Sequence, residues 1–409
     1  MIEPFRSDFN ARFTDAKYAA FKDRLNRETG TDIQFRMAET PCFFPADLLD
    51  TMIEAGVELT SQLWKNSQYL EQSKAAIPSA YNVPGQGTQP HFMTVDFGLV
   101  RGPDGELEPK LVEMQAFPSI FGFQPGFARA YKEIFELDDR LQYLYAGQDE
   151  ASYWALLQEV VVAQHDPATV VLLEVDPENQ KTLPDFRRHE QHLGIRTVDI
   201  RTVVKQGNQL LYRDAKNHDR LTPIKRIYNR AIVDEVVRRK IELPFDYRDP
   251  LNVEWAGHPN WYFQISKFSL PFLHHRTVPT AIFLDEWMDG KGRDKLSPDR
   301  EQWVLKPLYS FAGTGIQFAP SDADLRSIPP DQRHDYLLQE RVQFEPVIAT
   351  PEGMTQAEVR ILYVWPEGKS MVPMTSLVRM GRGLMMGVDH NRDRTWVGGS
   401  AAFFLPHSR

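Results

Sequence analysis

The sequence predicts a mixed α/β protein, long enough at 409 residues to hold two or three packed units. Three observations carry this expectation. Val170-Val171-Leu172-Leu173-Glu174-Val175 is a continuous apolar run, as in a strand buried on both faces, and a helical stretch and a second strand follow it. Two strand-like segments, 92–100 and 110–115, flank a loop holding Asp104-Gly105, a pair favoured in two-residue hairpin turns. From residue 280 onward, short β-type segments recur.

Taken in order, Pro45 opens a helix whose Leu48, Met52, Leu59 and Leu63 recur at helical spacing. This reads as one long amphipathic helix to about residue 74. Residues 79–87 are rich in Pro, Gly, Gln and Asn and read as a loop. The hairpin follows, then a helical region over 126–164. After the strand at 170–175, a helix through Leu193, strands at 195–204 and 224–228 and a helix over 233–240 make a small α/β unit. Residues 263–273 read as the start of a helix, and strands are expected at 280–284, 302–308, 336–342, 359–365 and 376–380. The expected organisation is 1–145, 146–254 and 255–409.

Composition narrows the function. Apolar residues make up 42% and charged residues 25%, as in ordinary globular chains. A net charge of −9 gives no general attraction to nucleic acid or to anionic membranes, so neither is an expected partner. The single cysteine, Cys42, rules out an intrachain disulfide and a cysteine-rich metal site. No signal-like N-terminus and no run of about 18 apolar residues is present, so a cytoplasmic enzyme is expected.

A two-residue turn at Asp104-Gly105 places Val95 opposite Met114 and Phe97 opposite Val112 on one face. Asp96 then faces Glu113, and Thr94 faces Gln115, on the other. Like charges directly opposed repel, and a Mg²⁺ ion would remove the conflict, because it takes hard oxygen ligands. The alternative is a solvated polar face. A second cluster lies at Trp303-Val-Leu-Lys-Pro-Leu-Tyr-Ser-Phe-Ala-Gly-Thr-Gly-Ile316, where a strand delivers Lys306 to a loop with Gly313 and Gly315. Such a lysine beside backbone N–H groups suits a phosphate, and so does a plain strand and turn. The loop lacks the Gly-Lys-Ser/Thr of a P-loop. Lys267 is a second candidate cation, and Gln339-Glu340 ends a strand where an adenine amine could bind.

In this order the motifs resemble the circularly permuted ATP-grasp enzymes, the glutathionylspermidine synthase and eukaryotic-type glutathione synthetase group. Asp96 and Glu113-Met-Gln115 match that group's Asp and Glu-x-Asn, with Gln replacing Asn and Thr94 standing where the synthase has arginine. Lys267, Lys306-Pro307, Gly313-Thr314-Gly315, Gln339-Glu340 and the closing Phe404-Leu-Pro-His407 match in sequence order. The resemblance implies a permuted ATP-grasp fold with nucleotide between two lobes and an additional small α/β subdomain. It implies Mg²⁺ on Asp96, Glu113 and Gln115, and ATP held by Lys267, Lys306, Gly313, Thr314, Gly315, Gln339, Glu340 and Val342. Arg360 and Arg379 are the candidate catalytic residues, since arginine offers a planar donor fork to a carboxylate or acyl phosphate. Arg230 is a weaker candidate of the same kind. The expected function is a carboxylate–amine ligase acting on small-molecule or peptide substrates. The alternatives are a nucleotide-binding protein without ligase activity and a kinase-like phosphotransferase.

Overall fold

A computed structural model describes residues 1–309, 313–384, 386, 391 and 393–407. In chain order the first part comprises α1 (Phe5–Arg12), α2 (Asp15–Thr29), β1 (Cys42–Phe43), α3 (Ala46–Lys65) and α4 (Ser67–Ala75). The hairpin β2 (Phe92–Arg101) and β3 (Leu107–Gln115) precedes α5 (Phe123–Ile134) and α6 (Glu150–Val161). The middle holds β4 (Val170–Glu174), α7 (Leu183–Leu193), β5 (Arg196–Asp199), β6 (Val204–Gln206), β7 (Gln209–Asp214), β8 (Arg220–Ile224), β9 (Arg226–Asn229), α8 (Val233–Arg238) and β10 (Glu254–Ala256). Then come α9 (Trp261–Gln264), β11 (Ala281–Phe283), α10 (Leu284–Met288), β12 (Trp303–Pro307), β13 (Gln317–Phe318), α11 (Asp322–Ser327) and β14 (Tyr336–Glu340). The last strands are β15 (Pro346–Thr350), β16 (Gly353–Val364), β17 (Val372–Gly381) and β18 (Gly398–Phe403).

These strands form a seven-stranded central sheet in the order β1-β18-β17-β16-β2-β3, with β15 added beside β16. Its ladder is antiparallel except where β1 joins β18. A four-stranded parallel sheet has the order β10-β9-β4-β5, a four-stranded antiparallel sheet the order β11-β14-β12-β13, and β6-β7-β8 form a meander. The run at Val170–Glu174 is buried throughout, as its apolar content requires of a strand flanked on both sides. The fold is therefore mixed α/β. No helix among the described residues is long and apolar enough to cross a membrane.

The apolar stripe of α3 packs on one face of the central sheet. Leu49, Met52, Leu59 and Leu63 share a core with Val95, Phe97, Val359 and Ile361. The expected single helix to about residue 74 is broken at Asn66. Its backbone leaves the helical region at φ −95°, ψ 100°, and its side chain accepts the Tyr69 N–H at 3.0 Å, capping α4. The helical region expected over 126–164 is likewise two helices, α5 and α6, with a connecting loop between them. The expected strand 195–204 ends at Asp199, whose carboxylate accepts the Arg201 N–H and starts a short 3₁₀ turn. The helix expected from residue 263 is one turn, α9, followed by a 3₁₀ turn Lys267–Phe272 capped by Ser266. Pro271 removes a donor there.

Gly56 lets α3 approach the sheet closely, because a Cβ at this position would overlap the Tyr363 ring and hydroxyl. That hydroxyl donates to the Ile53 carbonyl at 3.0 Å, so it is pinned under the helix. Gly56→Ala is expected to lower unfolding stability by roughly 1–3 kcal/mol through overpacking. Adding Tyr363→Phe should recover part of the loss, and denaturant titration of the two variants checks it.

Candidate functional site

The hairpin sets the geometry. Its loop has three residues, not two: Gly102 donates to the Glu106 carbonyl at 2.8 Å, Gly105 donates to the Gly102 carbonyl at 3.0 Å, and Gly105 takes φ 87°. The register near the turn is therefore one off the expected one, and Phe97 pairs with Leu111 in place of Val112. A β-bulge at Val112 then restores the count, so Asp96 faces Glu113 and Thr94 faces Gln115. The expected pairing at the site is reached through two compensating departures.

The repulsion between Asp96 and Glu113 is answered from the other side of β2. Arg360 lies directly across from Asp96 on β16 and grips it with both donors, Nε to Oδ1 and Nη2 to Oδ2, each at 2.6 Å. Arg379 on β17 donates to Asp96 Oδ2 at 3.0 Å and to Glu358. Burial pushes the Asp96 carboxyl upward, and Arg360 and Arg379 outweigh it, holding the group below its ordinary value. Glu358 shifts the other way: burial raises it, and the charges of Asp96 and Glu113 oppose the help it receives from Arg379.

A Mg²⁺ ion asks for hard oxygen donors. Glu113 and Gln115 supply them in chemistry and placement, and Gln115 Nε2 already lies 3.1 Å from Glu113 Oε1. Asp96 fits less well, because three guanidinium donors occupy its two oxygens. Glu113 and Gln115 are held more loosely: Arg360 Nη2 lies 3.6 Å from Glu113 Oε1 and 3.5 Å from Gln115 Oε1.

The β11–β14 sheet brings one lysine and the 3₁₀ turn after α9 brings the other. Lys306 on β12 is buried, and its ammonium reaches the carbonyl of the bulged Val112 at 3.5 Å, its one hydrogen bond among the described residues. Lys267, in the capped 3₁₀ turn, lies 3.6 Å from Glu113 Oε2. Four cations, Lys267, Lys306, Arg360 and Arg379, thus meet three carboxylates, Asp96, Glu113 and Glu358, a surplus of one positive charge. Burial pulls the Lys306 pKa down to about 8.

The remaining expected contacts divide. Gln339 pairs with Val304 on the Lys306 face of the sheet, is 1% exposed, and neither amide atom has a hydrogen-bond partner. A buried unpaired amide costs free energy, and a bound polar group would recover it. Glu340 points the other way; its exposed carboxylate accepts the Thr280 N–H at 3.3 Å. Val342 packs over Gly98 of β2. Gly313 and Gly315 adopt φ 76° and 75° around Thr314, while residues 310–312 of that loop lie outside the described residues. Thr94 is buried and its hydroxyl lacks a partner.

Two groups add to the expected set: Glu358 and Glu174 escaped sequence reasoning, whereas Arg230 was its weaker candidate. Glu358 was legible only as one half of Glu358-x-Arg360, an alternation that puts both side chains on one face. The second group lies where the chain reverses between β4 and β9, at the carboxyl ends of the parallel strands. That reversal is the common ligand crevice of open α/β sheets. Here Arg230 is buried, Nε and Nη1 lack partners, and its guanidinium sits 4.9 Å above the Phe117 ring, two residues beyond Gln115. Glu174 ends β4 nearby, and burial raises its carboxyl to about 8. Cys42 is fully buried, and burial raises its thiol to about 12, so no thiolate forms at neutral pH.

No protein-family model matches the chain. It is similar in fold to a glutathione synthetase-like effector from Globodera pallida, solved in its apo form, with TM-score 0.57 and 14% identity over 96% of each chain. Isoleucine–tRNA ligases of three Streptococcus agalactiae strains are 26% identical over 211 residues, 45% of this chain. The match spans 22% of the length of those curated relatives.

The low Lys306 pKa has a stability consequence with a definite sign. Its folded value lies below the ordinary 10.5, so below about pH 8 the folded state holds a buried charge that the unfolded state hydrates. That penalty fades as pH rises from 8 to 10.5. Lys306→Met is expected to stabilise the ligand-free protein at pH 7 on the order of 2 kcal/mol. The gain should shrink toward pH 10, as denaturant midpoints at several pH values will show.

Proposed function

We propose that this chain is an ATP-dependent ligase that joins a small-molecule or peptide carboxylate to an amine and releases ADP and phosphate. The observation that carries the reading is Lys306, a buried ammonium without a carboxylate bond, facing Glu113 across two sheets. A charge held there at a folding cost is suited to an anionic ligand. The likeness to a glutathione synthetase-like effector supports the fold that such a reaction uses.

In this reading Lys306 and Lys267 hold phosphate oxygens. The N–H groups around Gly313, Thr314 and Gly315 cover them, as the positive φ of both glycines allows. Gln339, the Glu340 backbone and Val342 take the base. Mg²⁺, when bound, neutralises phosphate charge, with Glu113 and Gln115 offering its protein donors. Arg379, the more open of the two arginines, and Arg230 take the substrate carboxylate; Arg360, locked on Asp96, positions Arg379's partner. The carboxylate oxygen attacks the γ-phosphorus and the bond to ADP breaks. The amine nitrogen then attacks the acyl carbon, expels phosphate and loses a proton.

One observation favours a second reading, nucleotide binding without turnover. Asp96 is saturated by arginines, and beside it stands Thr94, with an unpaired hydroxyl and no charge. Incubation with ATP, Mg²⁺ and pooled carboxylates and amines separates the two. Nucleotide chromatography is expected to show ADP rising in step with amide, and hydroxylamine to trap a hydroxamate. Lys306→Ala and Glu113→Gln should each reduce both signals at least about 100-fold, the scale of losing a preorganised charge contact. Stoichiometric AMP, or full activity in Glu113→Gln, rejects the ligase reading; a thermal shift by ATP with no turnover supports the second.

A further inference from the structure

A cleft of about 860 Å³ lies beyond β12, on the far side of Leu308 and Tyr309 from the Glu113 centre. None of the residue roles assigned above uses it. Its size falls in the range of small-molecule sites.

Its charge is mainly acidic. Three carboxylates, Asp285, Glu286 and Asp335, line it with His334, and among the described residues neither lysine nor arginine does. Asp285 Oδ1 caps the Glu286 N–H at 2.8 Å, and Glu286 has a distant partner in Lys291 at 3.9 Å. Asp335 is the most open of the three. Its backbone carbonyl anchors the Leu308 N–H at 2.8 Å, and its carboxylate has only His334, at 3.6 Å, as an ion-pair partner among the described residues. The inner wall is aromatic: Phe263 meets Tyr309 edge-on at 5.6 Å, and Tyr81 and Phe268 continue it. The Tyr309 hydroxyl is buried and lacks a hydrogen-bond partner, and the Asp335 charge is near enough to raise the phenol further above its ordinary value than burial alone. At the mouth, Val237 of α8 is 51% exposed, an apolar side chain left uncovered.

We propose that this cleft binds an organic cation, an ammonium group carried on a bulky apolar body, with the ammonium between Asp335 and the Tyr309 hydroxyl and the body against Phe263 and Val237. Aromatic faces attract cations through their quadrupole, and the carboxylates set the sign of the charge they accept. An anion of the same shape meets three carboxylates, with His334 alone to set against them among the described residues. The proposal stands apart from the ligase reading, since it concerns binding alone. If both hold, the cleft is the place from which an amine reaches the phosphate centre, because Leu308 and Tyr309 also line the small void beside Gln115 and Lys267.

The test uses the full chain without nucleotide and three probes of one shape: 2-phenylethylamine, 2-phenylethanol and 3-phenylpropionate. Ligand-observed NMR and calorimetry are expected to show the amine binding about tenfold more tightly than the alcohol, with the propionate weakest, and the preference falling as salt rises. Asp335→Asn should remove most of that tenfold preference while leaving alcohol binding unchanged. Should that variant fail to fold, Glu286→Gln at the exposed rim is expected to reduce the preference in the same direction. Equal binding of amine and alcohol, no binding of any probe, or an amine preference undiminished in a folded carboxylate variant overturns the proposal. None of these results depends on ADP formation, so the ligase reading stands or falls separately.

Discussion

Two arginines on a carboxylate hold the working face of this protein in place. Asp96 is 1% exposed in the middle of a sheet, and an unpaired charge there would cost several kcal/mol. Arg360 and Arg379 make the burial tolerable, and they come from two further strands. The cluster therefore couples the register of β2, β16 and β17: a slip of one residue in any of them would turn its charged side chain into the α3 core. Glu358 completes the arrangement by taking the other side of Arg379. The outcome is a rigid polar floor at whose edge Glu113 and Gln115 stand.

Against that floor the β11–β14 sheet works as an opposing wall. It contributes Lys306 and Gln339 from adjacent strands on one face, and an aromatic core built on Trp287 and Trp303 on the other. The wall's Gln339 amide lacks any partner and Lys306 has one long hydrogen bond, while the Asp96 carboxylate of the floor is fully engaged. That asymmetry leaves the unsatisfied charge and amide on the wall side of the gap. It also explains why Asp96, which has the strongest carboxylate contacts, is the least available of the expected metal donors.

The parts legible in the sequence are those whose signal is local. The run at Val170 reads as a buried strand, and the Asp96–Glu113 pairing followed from hairpin periodicity. Even there the turn differed, and the bulge at Val112 concealed the difference at the site. Glycine and proline near residues 102–109 leave loop length open, because a type I turn with a left-handed glycine and a two-residue primed turn use the same residues. The break at Asn66 was missed because helical periodicity continues across it, while a side-chain cap redirects the chain. The role of Arg360 was out of reach for a different reason. Its partner is 264 residues away, and no spacing rule connects β16 to β2. Glu174 was hidden likewise, and so was its meeting with Arg230, a weaker candidate from the sequence, since that meeting depends on strand order in the parallel sheet.

The central sheet is knitted from distant stretches of chain. β1 pairs in parallel with β18, Ala38 donates to the Gly399 carbonyl at 2.8 Å, and Gly399 donates back to the Arg36 carbonyl at 2.9 Å. The parallel sheet, by contrast, draws all its strands from 170–256. The two therefore mature at different moments of synthesis. As the polypeptide emerges from the ribosome, all strands of the parallel sheet are at hand once residue 256 is free, while the central sheet lacks β18 until residue 403 has followed.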